Sequence, residues 1–263
     1  MSKRNTFYGA AAILTVSTIL VKIIGAIFKI PLIAILPEEA YGDFNGAYNI
    51  YSFFLTISTA GLPVALSKTV SECHTLGREN QKRQVFRMAF GAFLFMGLFS
   101  FICMSLFGQI VATYVIGNEK AVFCVWALAP AVLCTCCCSA FRGYAQGHGN
   151  MTPTAVSQII EALCKLVVGL GLAYWLVKAG ADQSHAAAGA ITGVTVGTIV
   201  ALAYMLLNYL MGRSREGLAK DTPDSNATII RNLLMIAVPI TISSSMVGIV
   251  TVIDSSLVQG QLQ

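Results

Sequence analysis

Hydrophobic residues in this chain form seven long runs separated by short polar segments. Each run provides the roughly 20 residues that a helix needs to cross the hydrocarbon core of a bilayer. The runs are Phe7–Leu36, Phe44–Leu66, Met88–Ile116, Ala121–Phe141, Thr154–Val177, Ala186–Met211 and Asn232–Val258. The pattern predicts an all-α, polytopic membrane protein. Because the loops are too short for a folded soluble domain, its function must be built from the helices.

Composition and charge support this class and predict an orientation. The chain is 56% hydrophobic and 11% charged, with a net charge of +5. Basic residues concentrate on one side of the predicted spans: Lys3, Arg4, Lys68, Arg78, Lys82, Arg83, Arg87, Arg142, Arg213, Arg215, Lys220 and Arg231. Only Lys120 and Lys178 lie on the other side, so the positive-inside rule places the N-terminus in the cytoplasm. The net charge then reflects topology and contact with anionic membrane lipids, and no nucleic-acid binding is predicted.

Neither a metal site nor an enzyme is predicted. Cys134, Cys136, Cys137 and Cys138 are close in sequence, but neighbouring helical residues point about 100° apart and cannot close on one ion. Buried packing is the favoured role for these thiols. No glycine-rich phosphate loop, zinc-protease motif or convergent Ser, His and acid set is present, and no cofactor is predicted.

Two lysines in the first span are the main candidates for a binding site. Lys22 and Lys29 are the only charges between Phe7 and Leu36. A charge near the bilayer centre costs about 2.5 to 3.5 kcal/mol, so such residues usually face protein or water. Their spacing of seven residues places both amines on nearly the same helix face. We expect Lys22 to line a polar cavity, whereas Lys29 could equally reach the headgroup region.

Further polar residues occur in other spans. Glu161 and Lys165 are four residues apart, in the order that favours an ion pair on one helical face. That pair is either purely structural or borders the cavity of Lys22 and exchanges partners as the protein changes state. Asn49 adds a polar edge to the second span. Asp254 in the last span has about the same predicted depth as Lys29, where it either couples to that lysine or lies at the outer interface.

The first and seventh spans resemble each other, which predicts a domain organisation. Both begin on the cytoplasmic side after an Asn and a Thr, and both carry a charge near their outer ends. The chain is therefore interpreted as a six-helix lobe (residues 1–212), a cytoplasmic linker (213–230) and the first helix of a second, truncated lobe (231–263).

Several motifs together resemble a known family. They are Val21 to Gly25, Phe28 to Pro31, Tyr41 to Gly42, Ser58 to Pro63, Arg142 to Gly147, Asn150 to Thr154 and Ser157 to Glu161. The combination is similar to bacterial polysaccharide-biosynthesis membrane proteins, in particular the stage V sporulation protein B group and the lipid II flippases of Gram-positive bacteria. These belong to the multidrug/oligosaccharidyl-lipid/polysaccharide exporter superfamily.

The resemblance implies a fold and a function. Such proteins have two six-helix lobes around a central cavity and move lipid-linked saccharides across the bacterial cytoplasmic membrane by alternating access. Basic residues on the first helix face the lipid diphosphate, and Lys22 and Lys29 match those positions approximately. The resemblance thus implies a flippase for lipid II or a related polysaccharide precursor. The alternatives are a cation-coupled multidrug exporter, for which acidic cavity residues would be expected, and a non-transporting morphogenesis protein or membrane-embedded enzyme.

Overall fold

The computed structural model is all-α and contains seven segments that are long and apolar enough to cross a membrane. It describes the backbone of residues 3–213 and 221–262, and most side chains from residue 12 to 212 and from 221 to 246. The segments are Ala12–Ile35, Glu38–Thr75, Glu79–Ile110, Glu119–Gly147, Thr152–Lys178, Gln183–Gly212 and Asn226–Met246. The predicted spans are therefore confirmed, and the chain is a polytopic membrane protein.

Nine α-helices form these spans within the described residues. They are α1 (Lys3–Ile35), α2 (Glu38–Thr59), α3 (Leu62–Thr75), α4 (Glu79–Val111), α5 (Val122–Gly147), α6 (Thr152–Cys164), α7 (Leu170–Lys178), α8 (Gln183–Arg213) and α9 (Asn226–Leu262). Short π-helical turns follow α4 and join α6 to α7. The α3–α4 and α5–α6 turns define the basic end of the bundle, which the charge count predicts to be cytoplasmic. The α1–α2 and α7–α8 turns define the opposite, acidic end.

The second span consists of two helices, rather than the single helix predicted for Phe44–Leu66. Helix α2 ends at Thr59, and Pro63 lies in the first turn of α3, where its missing N–H is tolerated. Helix α9 crosses at this break, and a Cβ atom added to Gly61 would lie 2.1 Å from the carbonyl oxygen of Ala237. Gly61 therefore permits a close helix crossing that a larger residue would prevent.

Helix α5 forms the centre of the bundle because it packs against α2, α3, α4 and α8. Cys136 and Cys138 lie in its buried faces, among the apolar side chains of the core. Arg142, near the end of the same helix, has a side chain only 12% exposed. Arg142 was predicted to lie just outside the fourth span, Ala121–Phe141, and that prediction is wrong because α5 continues to Gly147.

The predicted spans leave the basic segment from Lys68 to Arg87 in a connecting loop, and this prediction is also wrong. These residues lie on α3 and α4, which are joined by a tight turn at Gly77 with a φ of 69°. Lys82 is buried and forms an ion pair with Glu79. The carboxylate of Asp221 accepts hydrogen bonds of 2.9 Å from the backbone N–H groups of residues 80 and 81. The described part of the linker is thus docked on the start of α4.

Asp43 closes the acidic end of the bundle. Its side chain is 3% exposed, and its carboxylate accepts hydrogen bonds from Asn118 Nδ2 at 2.9 and 3.0 Å and from Ser184 Oγ at 3.0 Å. These partners belong to the α4–α5 connection and the first turn of α8. Asp43 precedes the predicted second span, Phe44–Leu66, whereas it lies inside α2 and holds three parts of the chain together.

Small residues on α8 allow α6 and α7 to approach closely. A Cβ atom on Gly193 would lie 2.4 Å from the backbone nitrogen of Gly169, and one on Gly197 would lie 2.7 Å from the carbonyl oxygen of Glu161. Gly189 lies on the same face, against Leu176. Gly189, Gly193 and Gly197 therefore form one packing face of the sixth span. The close approach occurs beside the π-helical turn Lys165–Gly169.

A candidate binding cavity within the membrane spans

A cavity of about 390 Å³ lies between α1, α2, α5, α6 and α8, inside the membrane-spanning part of the bundle. Four charged side chains contribute to its wall, together with aromatic rings from α1 and α2. The lining residues that the site is built from are Lys22, Phe28, Tyr48, Tyr51, Arg142, Glu161 and Lys165. Three basic groups therefore face one carboxylate in a place where an unpaired charge is expensive.

Arg142 and Glu161 form an ion pair across two helices. Arg142 Nη2 lies 3.0 Å from Glu161 Oε2, and Arg142 Nε donates a hydrogen bond of 2.9 Å to Ser157 Oγ. Ser157 and Glu161 are one turn apart on α6, so both can meet the same guanidinium group. The turn between α5 and α6 brings Arg142 opposite Ser157 and Glu161. Gly149 adopts the left-handed backbone conformation that this turn requires, with a φ of 75°.

Lys165 does not take the partner that its sequence position predicts. Its amine lies 4.5 Å from the ring centroid of Tyr48 and 4.9 Å from that of Phe28, whereas Glu161 is paired with Arg142. The predicted Glu161–Lys165 ion pair is therefore wrong. Cation–π contacts stabilise the amine by about 0.5 to 2 kcal/mol without neutralising its charge. Lys165 thus lines the cavity wall without a carboxylate partner among the described residues.

The two lysines of α1 differ in their relation to the cavity. Lys22 lies in its wall, while Lys29, also exposed on α1, is not part of the lining. Asn49 also lies outside the lining, although its neighbour Tyr48 belongs to it. The side chain of Asp254 lies outside the described residues. The structure therefore brings together Lys22, Glu161 and Lys165 from the predicted set.

Several residues of the cavity were missed by sequence reasoning. The predicted spans exclude Arg142, and no role in a cavity is predicted for Tyr48 or Tyr51. Tyr51 is 3% exposed, and its hydroxyl shares a hydrogen bond of 3.4 Å with that of Thr135 on α5. The spacing of Tyr48, Tyr51 and Leu55 on one face of α2 was the available signal.

The arrangement suits an anionic group attached to a larger molecule. Within the described residues, the amines of Lys22 and Lys165 form no ion pair, and lysine is a compact cation on a flexible stem that can bind and release a phosphate. The tyrosine and phenylalanine rings add apolar surface beside these charges. The site therefore combines excess positive charge with ring faces inside a low-dielectric region.

Comparison with known proteins identifies relatives of this architecture. The sequence profile of the family described as polysaccharide biosynthesis protein matches residues 9–262. An uncharacterized membrane protein of Bacillus subtilis strain 168, YabM, is 25% identical over 96% of this chain and 47% of its own length. Lipid II flippase MurJ of the same organism is 28% identical over 66% of this chain and 33% of its own length. Stage V sporulation protein B of the same organism is 25% identical over 78% of this chain and 39% of its own length.

The chain spans a third to a half of the length of these curated relatives. A solved structure, described only as protein A, superposes with a TM-score of 0.78 over 97% of this chain and 56% of its own, at 15% identity. That likeness concerns the fold alone. Because the family profile covers nearly all of the sequence, the chain belongs to the polysaccharide biosynthesis protein family, within the multidrug/oligosaccharidyl-lipid/polysaccharide exporter superfamily.

Proposed function

We propose that this chain forms the substrate-binding half of a flippase for a lipid-linked saccharide, such as lipid II or a related polysaccharide precursor. The observation that carries the proposal is the cavity within the spans, in which Lys22 and Lys165 are cations without a carboxylate partner in the described structure. The diphosphate of a lipid-linked saccharide supplies the missing negative charge. The names of two relatives, a lipid II flippase and a sporulation protein, support the same class.

The ion pair supplies a switch for alternating access. In the present state Glu161 is held by Arg142, and Lys165 rests on aromatic rings. Because Lys165 follows Glu161 by one helical turn, it is close enough to take the carboxylate when the protein changes state and Arg142 moves away. Exchange of the Glu161 partner then couples release of the anion to a change in the α5–α6 contact. The second lobe, which the first six spans would face, completes the cavity in this proposal.

The membrane orientation follows from the charge distribution. With the N-terminus in the cytoplasm of a bacterium, the basic end of the bundle meets the inner leaflet, where lipid-linked precursors carry their headgroups. Arg142 lies towards that end of α5, and Lys22 and Lys165 lie deeper. The anion would therefore meet the guanidinium group first and the amines next.

A transport assay on the full-length protein tests the proposal. Lys165→Gln and Lys22→Gln variants are reconstituted in vesicles with a fluorescent lipid-linked saccharide, and its transfer between leaflets is measured. Loss of one charge-assisted contact should weaken apparent substrate affinity by about tenfold to a hundredfold. Lys68→Gln is the matched control, since Lys68 is exposed on α3 and is not part of the cavity lining.

Three results would distinguish the alternatives. Wild-type transfer by both cavity variants at normal expression would refute the role of the amines. Export of cationic drugs with no transfer of lipid-linked saccharide would favour the multidrug exporter, although Glu161, the one carboxylate that lines the cavity among the described residues, is already paired with Arg142. Absence of any transfer by the wild-type protein would favour a structural role in cell-wall morphogenesis.

A further inference from the structure

A second recess lies at the basic end of the bundle, between α4 and α8 and floored by α5. Its volume is about 270 Å³. The lining residues are Arg83, Phe86, Arg87, Phe90, Phe141, Leu206 and Tyr209. None of them lines the cavity described above, so the recess is a separate feature of the molecule.

Two arginines form the polar wall of this recess. Arg83 and Arg87 are one helical turn apart on α4, so their side chains lie on the same face. A guanidinium group presents a planar set of donors that matches two oxygens of a phosphate, and it is more weakly hydrated than an ammonium group. The pair is therefore suited to a phosphodiester at the surface of the bundle.

The floor of the recess is a preformed aromatic cluster. Phe86 and Tyr209 have ring centroids 4.7 Å apart, and Phe141 lies 5.5 Å from Phe90 and 5.4 Å from Tyr209. These contacts join α4, α5 and α8 behind the arginines. A ligand would therefore meet a rigid apolar base rather than a surface that has to be ordered on binding.

An apolar track leads from the recess towards the middle of the membrane. On α4 the exposed side chains Leu94 and Leu98 continue the face of Arg87, and on α8 Ile199 lies two turns from Leu206 on the same face. These four side chains are 37–48% exposed. A phosphate group held by the arginines would thus have hydrocarbon surface directly beside it, as a lipid requires.

We propose that this recess binds the headgroup of an anionic phospholipid, with the phosphodiester on Arg83 and Arg87 and the acyl chains along the apolar track. Basic pockets between spans on the cytoplasmic side recognise such headgroups by charge. The site differs from general surface charge because it joins two guanidinium groups, an aromatic floor and an apolar track. It does not depend on the proposed transport function.

Native mass spectrometry of the purified full chain tests the site. The protein is extracted from mixed vesicles of phosphatidylglycerol and phosphatidylcholine, and the retained lipids are counted. Wild type should retain phosphatidylglycerol preferentially, and Arg87→Gln should lower that preference about fivefold, the contribution of one basic residue near a lipid surface. Arg231→Gln is the matched control because it removes an equal charge beside exposed apolar residues of α9, without a second arginine or an aromatic floor.

Further arms separate a lipid from a soluble anion and from a folding defect. Inorganic phosphate should not displace the retained lipid. If phosphate replaces the lipid and occupies the recess to the same extent, the recess is a site for free phosphate instead. Arg87→Lys keeps the charge and should restore part of the preference. An equal loss in Arg87→Gln and Arg231→Gln, or no loss in Arg87→Gln, would overturn the proposal. Circular dichroism confirms that each variant keeps its helices.

Discussion

Asp43 and Glu161 both carry a carboxylate on a membrane span, and the surroundings of the two groups differ in one decisive way. Asp43 accepts bonds from an amide and a hydroxyl group on two other elements, and it is 3% exposed. Glu161 is paired with one guanidinium group, while two further cations line the same cavity. A buried polar cluster whose bonds are complete ties helices together. A cluster with excess charge is instead prepared to receive a ligand of opposite sign.

The largest effect is expected when the cavity loses Glu161, the acid that lines it in the described part of the chain. Glu161→Gln leaves the Arg142 guanidinium group, 12% exposed, beside Lys22 and Lys165 without a counter-ion. Breaking a buried ion pair from one side typically costs 3–5 kcal/mol, and because Glu161 is 26% exposed we expect about 3 kcal/mol. Denaturant unfolding in detergent micelles measures this change in the free energy of unfolding.

Removal of the other partner provides the comparison. In Arg142→Gln, Lys165 is one turn from Glu161 and can replace the lost guanidinium group, so the loss should be smaller than in Glu161→Gln. A double variant gives the coupling energy of the pair. If Glu161→Gln is as stable as wild type, or if Arg142→Gln is the less stable variant, the carboxylate does not hold the three cations.

The next largest loss of stability is expected from the hydrogen-bonded cluster of Asp43, Asn118 and Ser184 at the acidic end. Asp43→Asn replaces an acceptor oxygen by an amide N–H₂ group that faces donors on Asn118 or Ser184. Loss of a charge-assisted bond and the unpaired donor should cost about 2 to 3 kcal/mol of unfolding free energy. The substrate affinity of the protein that remains folded should stay unchanged, because Asp43 does not line the binding cavity. A selective loss of affinity at normal stability would remove the distinction between the two clusters.

The difference between the clusters also shows what sequence can predict. Seven spans were visible because hydrophobic run length is a property of the local sequence. The i, i+4 spacing of Glu161 and Lys165 was also visible, but it indicated the wrong partner. Arg142 reaches Glu161 from 19 residues away, through a turn that depends on Gly149. A contact of this kind is fixed by helix packing and turn geometry rather than by spacing within one helix.

The break at Gly61 was missed for a similar reason. No charged residue lies between Ser58 and Leu66, so the length of the uncharged run indicates one continuous span. The physical cause is α9, whose backbone occupies the space that a Cβ atom at Gly61 would need. The Asp43 cluster was likewise hidden, because its partners lie 75 and 141 residues away in sequence.

A smaller effect is expected from the helix contact behind the cavity. In Gly193→Ala the new methyl group would lie 2.4 Å from the Gly169 nitrogen and 3.1 Å from the carbonyl oxygen of Lys165. Overpacking against backbone typically costs 1–3 kcal/mol, and about 2 kcal/mol is expected because neither contact is a flexible side chain. The shift of α6 should also weaken substrate binding, since Lys165 lies at the contact.

Gly171→Ala is the matched control for this substitution. Gly171 lies on α7, and a Cβ atom there would meet nothing within 4 Å. Alanine has the better helix propensity, so this variant should be as stable as wild type or slightly more stable. Equal stability of the Gly193 and Gly171 variants in the same unfolding assay would show that the α6–α8 contact adjusts without cost.

The smallest effect is expected at the surface of the acidic end, outside both clusters. Asp182 accepts a hydrogen bond of 2.9 Å from Lys120, and this bond lowers the pKa of Asp182 below its ordinary value of 3.8. A carboxyl group whose pKa is lower in the folded state stabilises that state above its unfolded pKa, and the contribution disappears as the pH falls through the folded pKa.

Both side chains of this pair are largely exposed, at 63% and 46%, so solvent and salt screen the interaction. The unfolding midpoint of Asp182→Asn should therefore lie slightly below that of wild type at neutral pH and low salt. The two midpoints should converge as the pH falls below about 4, the unperturbed range of an aspartate, and also at high salt. A difference that persists under acidic conditions would contradict a charge effect, because the protonated carboxyl group and the asparagine amide can each still accept the hydrogen bond from the backbone N–H of Gln183.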